Sequence, residues 1–167
     1  MEISEYINRL DKNTELAIAL AKSCTPELLN QKPDTGWSIA QVLEHICMTE
    51  LSVCKRISKP SEKSNETATI YGNEKMEKIL VGYRDRKVAA PDFLEPKGDI
   101  TTAEEFEKVF TAQRNRLKDD LNSGKLVIDN QVYLHPRLGE MTISDWLNFL
   151  IHHTQRHLEQ VRDLKKV

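Results

Sequence analysis

The sequence predicts an all-α chain folded as a four-helix bundle, and three observations carry that expectation. Four long stretches repeat apolar residues at helical spacing. Three of them open on a capping signature: Ser38 with Gln41, Thr101-Thr102 with Glu104 and Glu105, and Thr142 with Asp145. The 6 glycines and 6 prolines lie mostly between the stretches, where they end or separate helices. At 167 residues the chain can bury a core of its own. With no internal repeat and no dividing linker, one domain over residues 1–167 is expected.

The first helix is expected from Ile3 to Cys24, with Ile7, Leu10, Leu16, Leu20 and Ala21 as its apolar stripe and Thr25-Pro26 as its end. The second begins at Ser38, carries Ile39, Val42, Leu43, Ile46, Val53 and Ile57, and stops at Pro60. Residues 61–72 are polar and read as a loop, and a shorter helix is expected over Glu74 to Asp85. Pro91 and Pro96 keep residues 89–98 out of regular helix. The third long helix follows Thr101-Thr102, is lined by Phe106, Val109, Phe110, Leu117 and Leu121, and stops at Ser123-Gly124. Leu126-Val127-Ile128 and Val132-Tyr133-Leu134 have strand character, which suggests a short hairpin. The last helix starts at Thr142 and turns Ile143, Trp146, Leu147, Leu150, Val161 and Leu164 inward.

Composition excludes several classes of function. A net charge of -2 carries no footprint for nucleic acid or an anionic membrane surface. No apolar run approaches the ~20 residues of a membrane span. The N-terminus, MEISEYINRLDKN, lacks a secretory pattern, so the expected location is the cytoplasm. Cys24, Cys47 and Cys54 are odd in number and have no CxxC spacing, and they read as buried free thiols.

The histidines carry the chemistry. His153 and His157 stand one turn apart on one helix face, a spacing at which two imidazoles can share one metal ion. His152 is rotated about 100° from His153 and points elsewhere. On the helical wheel His45, His153 and His157 all flank the apolar stripes. That position suits a metal site open to a pocket, and it suits hydrogen-bonded or solvent-facing histidines equally well. His135, in the loop before Pro136, is a candidate substrate contact or proton donor, or else a turn-ordering residue. Arg156 reads as an ion-pair partner for Asp or Glu, and Trp37 and Trp146 as packing anchors. Glu44 and Glu159 neighbour candidate ligands in sequence, and helix geometry turns them away from the site. No Ser-His-Asp order, phosphate-cradling glycine loop or paired-carboxylate motif offers another mechanism.

Several segments together resemble one family. Gly36-Trp37-Ser38 through His45-Ile46 looks like the opening of the second helix in the DinB-like (DinB/YfiT) superfamily. Residues 90–98 resemble its connection into the third helix, and His135-Pro136-Arg137-Leu138-Gly139-Glu140-Met141-Thr142 its entry into the last. His153-Thr154-Gln155-Arg156-His157-Leu158-Glu159-Gln160 is similar to its closing H-x-x-R-H-x-x-Q signature. The resemblance implies a four-helix bundle with a divalent metal, nickel or zinc first, held by His45, His153 and His157. It implies an enzyme acting on a small molecule, by thiol-dependent S-transferase-like or hydrolase-like chemistry, with a low-molecular-weight thiol as cosubstrate. The alternatives are a non-catalytic metal-binding or stress protein and a metal-free dimeric bundle. The resemblance also implies a homodimer, and Cys47, Leu51 and Cys54 widen the apolar surface of the second helix in a way that suits one.

Overall fold

All three capping boxes form with both reciprocal bonds, and each starts a long helix. The structure, a computed structural model, describes residues 1–166. Its helices are α1 (Ile3–Lys22), α2 (Pro26–Asn30), α3 (Ile39–Ile57), α4 (Asn73–Glu77), α5 (Ala103–Asn122) and α6 (Ile143–Lys165). A two-stranded hairpin, β1 (Val132–His135) and β2 (Gly139–Thr142), runs directly into α6. The long helices make a four-helix bundle: α1 lies against α5 and α6, and α3 lies against the same two. No helix among the described residues is long and apolar enough to cross a membrane.

The inner face of α1 differs from the expected stripe. Tyr6, Leu10, Asn13, Ala17 and Ala21 are buried, whereas Leu16 is half exposed. The buried set keeps helical spacing through a polar residue because Asn13 has partners inside. Its amide donates to the Ile151 carbonyl at 3.3 Å and its Oδ1 accepts from Arg114 at 3.0 Å. On α5, Val109 likewise faces outward, and Arg114 takes a core position between Phe110 and Leu117.

Arg114 and Glu50 form an ion pair that is 99% shielded on both sides, with Nε 2.7 Å from Oε1 and Nη2 3.2 Å from Oε2. Nη2 also donates to the Thr154 hydroxyl at 3.1 Å, and the guanidinium lies over the Phe110 ring at 4.4 Å. Each long helix contributes at least one member to this network, Asn13 from α1, Glu50 from α3, Arg114 from α5 and Thr154 from α6. It divides the core into two apolar clusters, one around Leu43, Ile46, Phe106 and Leu158, the other around Leu10, Val53, Leu117 and Leu147.

The connections correct other expectations. Thr25 caps a short extra helix, α2, with Pro26 in its first turn, where a missing N–H costs nothing. The helix expected over residues 74–85 is one α-turn, α4, followed by a π-type turn over Lys78–Gly82. Residues 89–98 form no regular α-helix, as Pro91 and Pro96 require, and hold only a 3-10 turn, Asp92–Leu94. The hairpin pairs residues 132–135 with 139–142, and Leu126–Ile128 take no part in it. Leu126 N–H instead donates to the Asp120 carbonyl at 2.8 Å, and residues 130–132 pair with the 61–66 segment, with Asn65 N–H donating to the Asn130 carbonyl and Val132 N–H to the Lys63 carbonyl.

The strip of Cys47, Leu51 and Cys54 does not form a broad exposed face. Cys47 is buried and Cys54 partly so, both against α5, where Gln113 donates to the Cys47 carbonyl at 3.1 Å. Burial, more than the nearby Glu50 charge, raises both thiols, Cys54 to about 12. Leu51 alone of the three is exposed.

Candidate metal centre

Two buried carboxylates, one near the start of α3 and one at the start of α6, hold the loops that flank these helices. Glu44, on α3, accepts from three successive backbone N–H groups, those of Lys97, Gly98 and Asp99, at 2.7, 3.0 and 3.1 Å. Gly98 sits at φ +92°, a conformation that side chains with a Cβ rarely adopt. Asp145, at the start of α6, does the same for Ile70, Tyr71 and Gly72, at 2.9 to 3.0 Å, while closing the Thr142 capping box. The two clamped loops and the hairpin wall a cavity of about 540 Å³ beside α3 and α6.

His45, His153 and His157 meet at the base of this cavity, one ligand atom from each lying within 4.8 Å of the other two. The ring centroids are 4.5 Å apart for His153 and His157, 4.8 Å for His45 and His157, and 5.2 Å for His45 and His153. Neighbours set the tautomers of two of the rings. His45 Nδ1 donates to the Leu94 carbonyl at 2.9 Å, and His157 Nδ1 donates to Gln160 Oε1 at 2.8 Å. Both protons are therefore on Nδ1, which leaves each Nε2 an acceptor, that of His45 3.4 Å from the Thr49 hydroxyl and that of His157 3.2 Å from His153 Nε2. An outer partner on Nδ1 is the arrangement that orients a metal-ligating imidazole. The Leu94 carbonyl is itself held next to the Glu44 clamp. Glu44 points away from the cluster, as its helix position predicts, yet it braces the loop that aims His45.

The donor set fits a divalent cation. His153 Nε2 and His157 Nε2 are 3.2 Å apart, the separation of two ligands at ~2.05 Å from one ion subtending about 100°. Burial pulls all three imidazoles below their usual range, and mutual repulsion adds to this for His153 and His157. His157 falls to about 3. All three are thus neutral near pH 7, the protonation state a metal requires of imidazole. Three neutral ligands do not choose among zinc, nickel, copper and iron.

The remaining sequence candidates have definite places. His152 lies outside the cluster, with Nε2 2.8 Å from Asn73 Oδ1. His135 lines the cavity, with its ring 5.3 Å from Phe149 and 5.4 Å from Trp146. Arg156 makes no ion pair among the described residues. It donates instead to the backbone carbonyls of Leu80, at 3.0 Å, and Arg86, at 2.6 Å, tying the π-turn and the following segment to α6. Trp37 and Trp146 pack as expected, and both also line the cavity, Trp37 with its ring 4.9 Å from His45. Glu159 accepts from Gln155 and Arg162 along its own helix and takes no part in the cluster.

The whole-chain likeness fits this geometry. The sequence matches the profile of the DinB superfamily over residues 9–161. The chain belongs to the DinB superfamily. Within that family it is similar to the uncharacterized protein YuaE of Bacillus subtilis (strain 168), at 30% identity over 146 residues, or 87% of this chain and 88% of YuaE. The fold is also similar to that in the crystal structure of TT2238, a four-helix bundle protein. The match has a TM-score of 0.56 at 14% identity and covers 97% of this chain and 99% of that one.

Proposed function

We propose that the protein is a divalent-metal-dependent enzyme acting on a small molecule, by thiol-dependent S-transferase-like or hydrolase-like chemistry. One observation carries the reading: three imidazoles, neutral at neutral pH and two of them tautomer-locked, converge on one point at the base of a cavity of about 540 Å³. His45, His153 and His157 would hold the ion. Three protein ligands leave a coordination position for a thiol or water, whose acidity a bound nickel or zinc ion would raise.

The chain's own contribution is orientation and exclusion of water. The Leu94 carbonyl and Gln160 fix the ligand rings, and Phe149, Trp37 and Trp146 make the surrounding wall apolar. The wall lowers the local dielectric, which strengthens charge interactions inside the cavity.

Elemental analysis of the purified protein tests the metal, and adduct formation between a low-molecular-weight thiol and an electrophile tests the chemistry. About one divalent ion per chain, lost in His157→Ala together with adduct formation, is the expected result. A full complement of metal with no turnover of thiol or ester would favour a non-catalytic metal-binding protein. No metal at all would favour the metal-free bundle. The homodimer implied by the resemblance has lost its support in α3, and light scattering measures it directly.

A further inference from the structure

The cavity wall is electrostatically one-sided. Arg56, Arg86, Arg137 and Arg156 line it, and no Asp or Glu side chain does. The chain as a whole has 26 acidic residues against 24 basic ones, so composition does not produce this bias. Among the described residues none of these four arginines meets a carboxylate.

The bias is concentrated where the hairpin meets α3. Arg56 reaches from α3 to donate to the Leu134 carbonyl, and its guanidinium stands 5.5 Å from the Trp146 ring centre. Arg137 lies on the exposed hairpin turn. Between them, His135 Nδ1 accepts the backbone N–H groups of Arg137 and Leu138, both at 3.1 Å. With Nδ1 engaged as an acceptor, the ring proton is on Nε2, and His135 offers a neutral donor of fixed orientation. Burial first, then the charges of Arg56 and Arg137, hold this imidazole down to about 4, so it remains a neutral donor at neutral pH. Phe149 bridges from here to the metal centre, its ring 5.3 Å from His135 and 5.2 Å from His153.

We propose that Arg56, Arg137 and His135 form a carboxylate subsite, and that the cavity takes an anionic small molecule with an apolar body. The inference rests on the reading of the cavity as a small-molecule site. Guanidinium groups bind a carboxylate by paired charge-assisted hydrogen bonds, and His135 Nε2–H supplies a further donor. The apolar body then lies against Phe149 and Trp146, and its far end reaches the three histidines. The subsite selects and orients the ligand, while the histidine cluster supplies the chemistry.

The test uses intrinsic tryptophan fluorescence, since Trp37 and Trp146 both line the cavity. The full-length protein, metal-free and zinc-loaded, is titrated with 4-phenylbutyrate and with its uncharged isostere, 4-phenylbutyramide. The carboxylate is expected to bind roughly tenfold or more tightly than the amide in both forms. That preference is expected to shrink in Arg137→Gln and to vanish in Arg56→Gln/Arg137→Gln, with zinc content unchanged. Arg137 is on an exposed turn, so its single variant carries the test if the double variant fails to fold. Equal binding of the two probes, a preference that survives both substitutions, or no saturable binding of the carboxylate at millimolar concentration would overturn the proposal. So would a preference seen only with zinc, since the carboxylate would then be a metal ligand. A protein that binds no zinc but keeps the arginine-dependent preference would sink the metal reading and leave the subsite standing.

Discussion

Two polar clusters lie within the same bundle, on the same helices, and they are finished differently. On α3, His45 and Glu50 are five residues apart. On α6, His153 and Thr154 are neighbours that face different ways. The inner cluster, Arg114 with Glu50, Asn13 and Thr154, is closed: opposite charges meet at 2.7 Å, each long helix supplies a group, and two apolar clusters seal it. The outer cluster, His45, His153 and His157, has like groups gathered together, with ring nitrogens of His153 and His157 3.2 Å apart, beside a cavity. A cluster whose members satisfy each other specifies packing. A cluster whose members all need the same absent partner is suited to a ligand. The contrast teaches that burial of polar groups does not by itself mark a site, and that the sign and direction of what is left unpaired do.

Breaking the inner cluster from one side should have the largest effect. Arg114→Met leaves Glu50 without its counter-charge inside the core, and a loss of about 3–5 kcal/mol is expected in urea unfolding. Metal content of whatever remains folded should be unchanged. A loss below about 1 kcal/mol would mean that water reaches Glu50 and that the cluster is not closed.

Acid should act on the outer cluster. Free imidazoles titrate near ~6.5, whereas burial holds His135 to about 4 and His157 to about 3 in the fold. Below ~6.5 the unfolded chain therefore binds more protons than the folded one. The stability these neutral rings preserve at higher pH is lost progressively as the pH falls toward 4 and below. Metal-free protein followed by thermal melts should show this slope, and His157→Ala should flatten it. A slope identical in His157→Ala would assign the acid lability to other groups.

A smaller effect is expected from the outer partner of a ligand. Gln160→Ala removes the acceptor that locks His157 Nδ1–H, and metal affinity should weaken by roughly 10–100-fold with the melting temperature of the metal-free protein little changed. Competition with a chromogenic chelator measures it. The smallest effect sharpens the comparison from the other direction: Glu50→Leu with Arg114→Met replaces the whole pair by apolar groups of similar size, which is commonly neutral or stabilising. If the double variant unfolds as readily as Arg114→Met alone, the pair contributes more than mutual neutralisation.

Much of the fold was legible because its signals are local. The boxes at Ser38, Thr102 and Thr142 state where three helices begin, and each is written within four residues. His153 and His157 share a face for the same reason: helix geometry alone brings residues four apart together. Other features depend on partners far away in sequence. Leu16 and Val109 look like core positions, but Asn13 and Arg114 take the inward places because each finds the other across 101 residues. The hairpin was expected one segment too early. The stretch at Leu126 has strand propensity, but the Leu126 N–H turns back to the Asp120 carbonyl of α5, and the pairing with the 61–66 segment begins only at Asn130.

The sequence by itself therefore determined the helices, their caps and one half of the histidine cluster, all set by backbone hydrogen bonding and side-chain periodicity within a few residues. Resemblance, not spacing, pointed to His45. Only the tertiary structure decided that His45 comes within reach of the other two, that Glu44 and Asp145 clamp loops 53 and 75 residues away, and that Arg56 and Arg137 share a wall with His135. These are contacts between helices and loops remote in the chain. They exist because apolar burial draws the helix faces together, and which polar groups then meet is a property of the packed arrangement that no single segment contains.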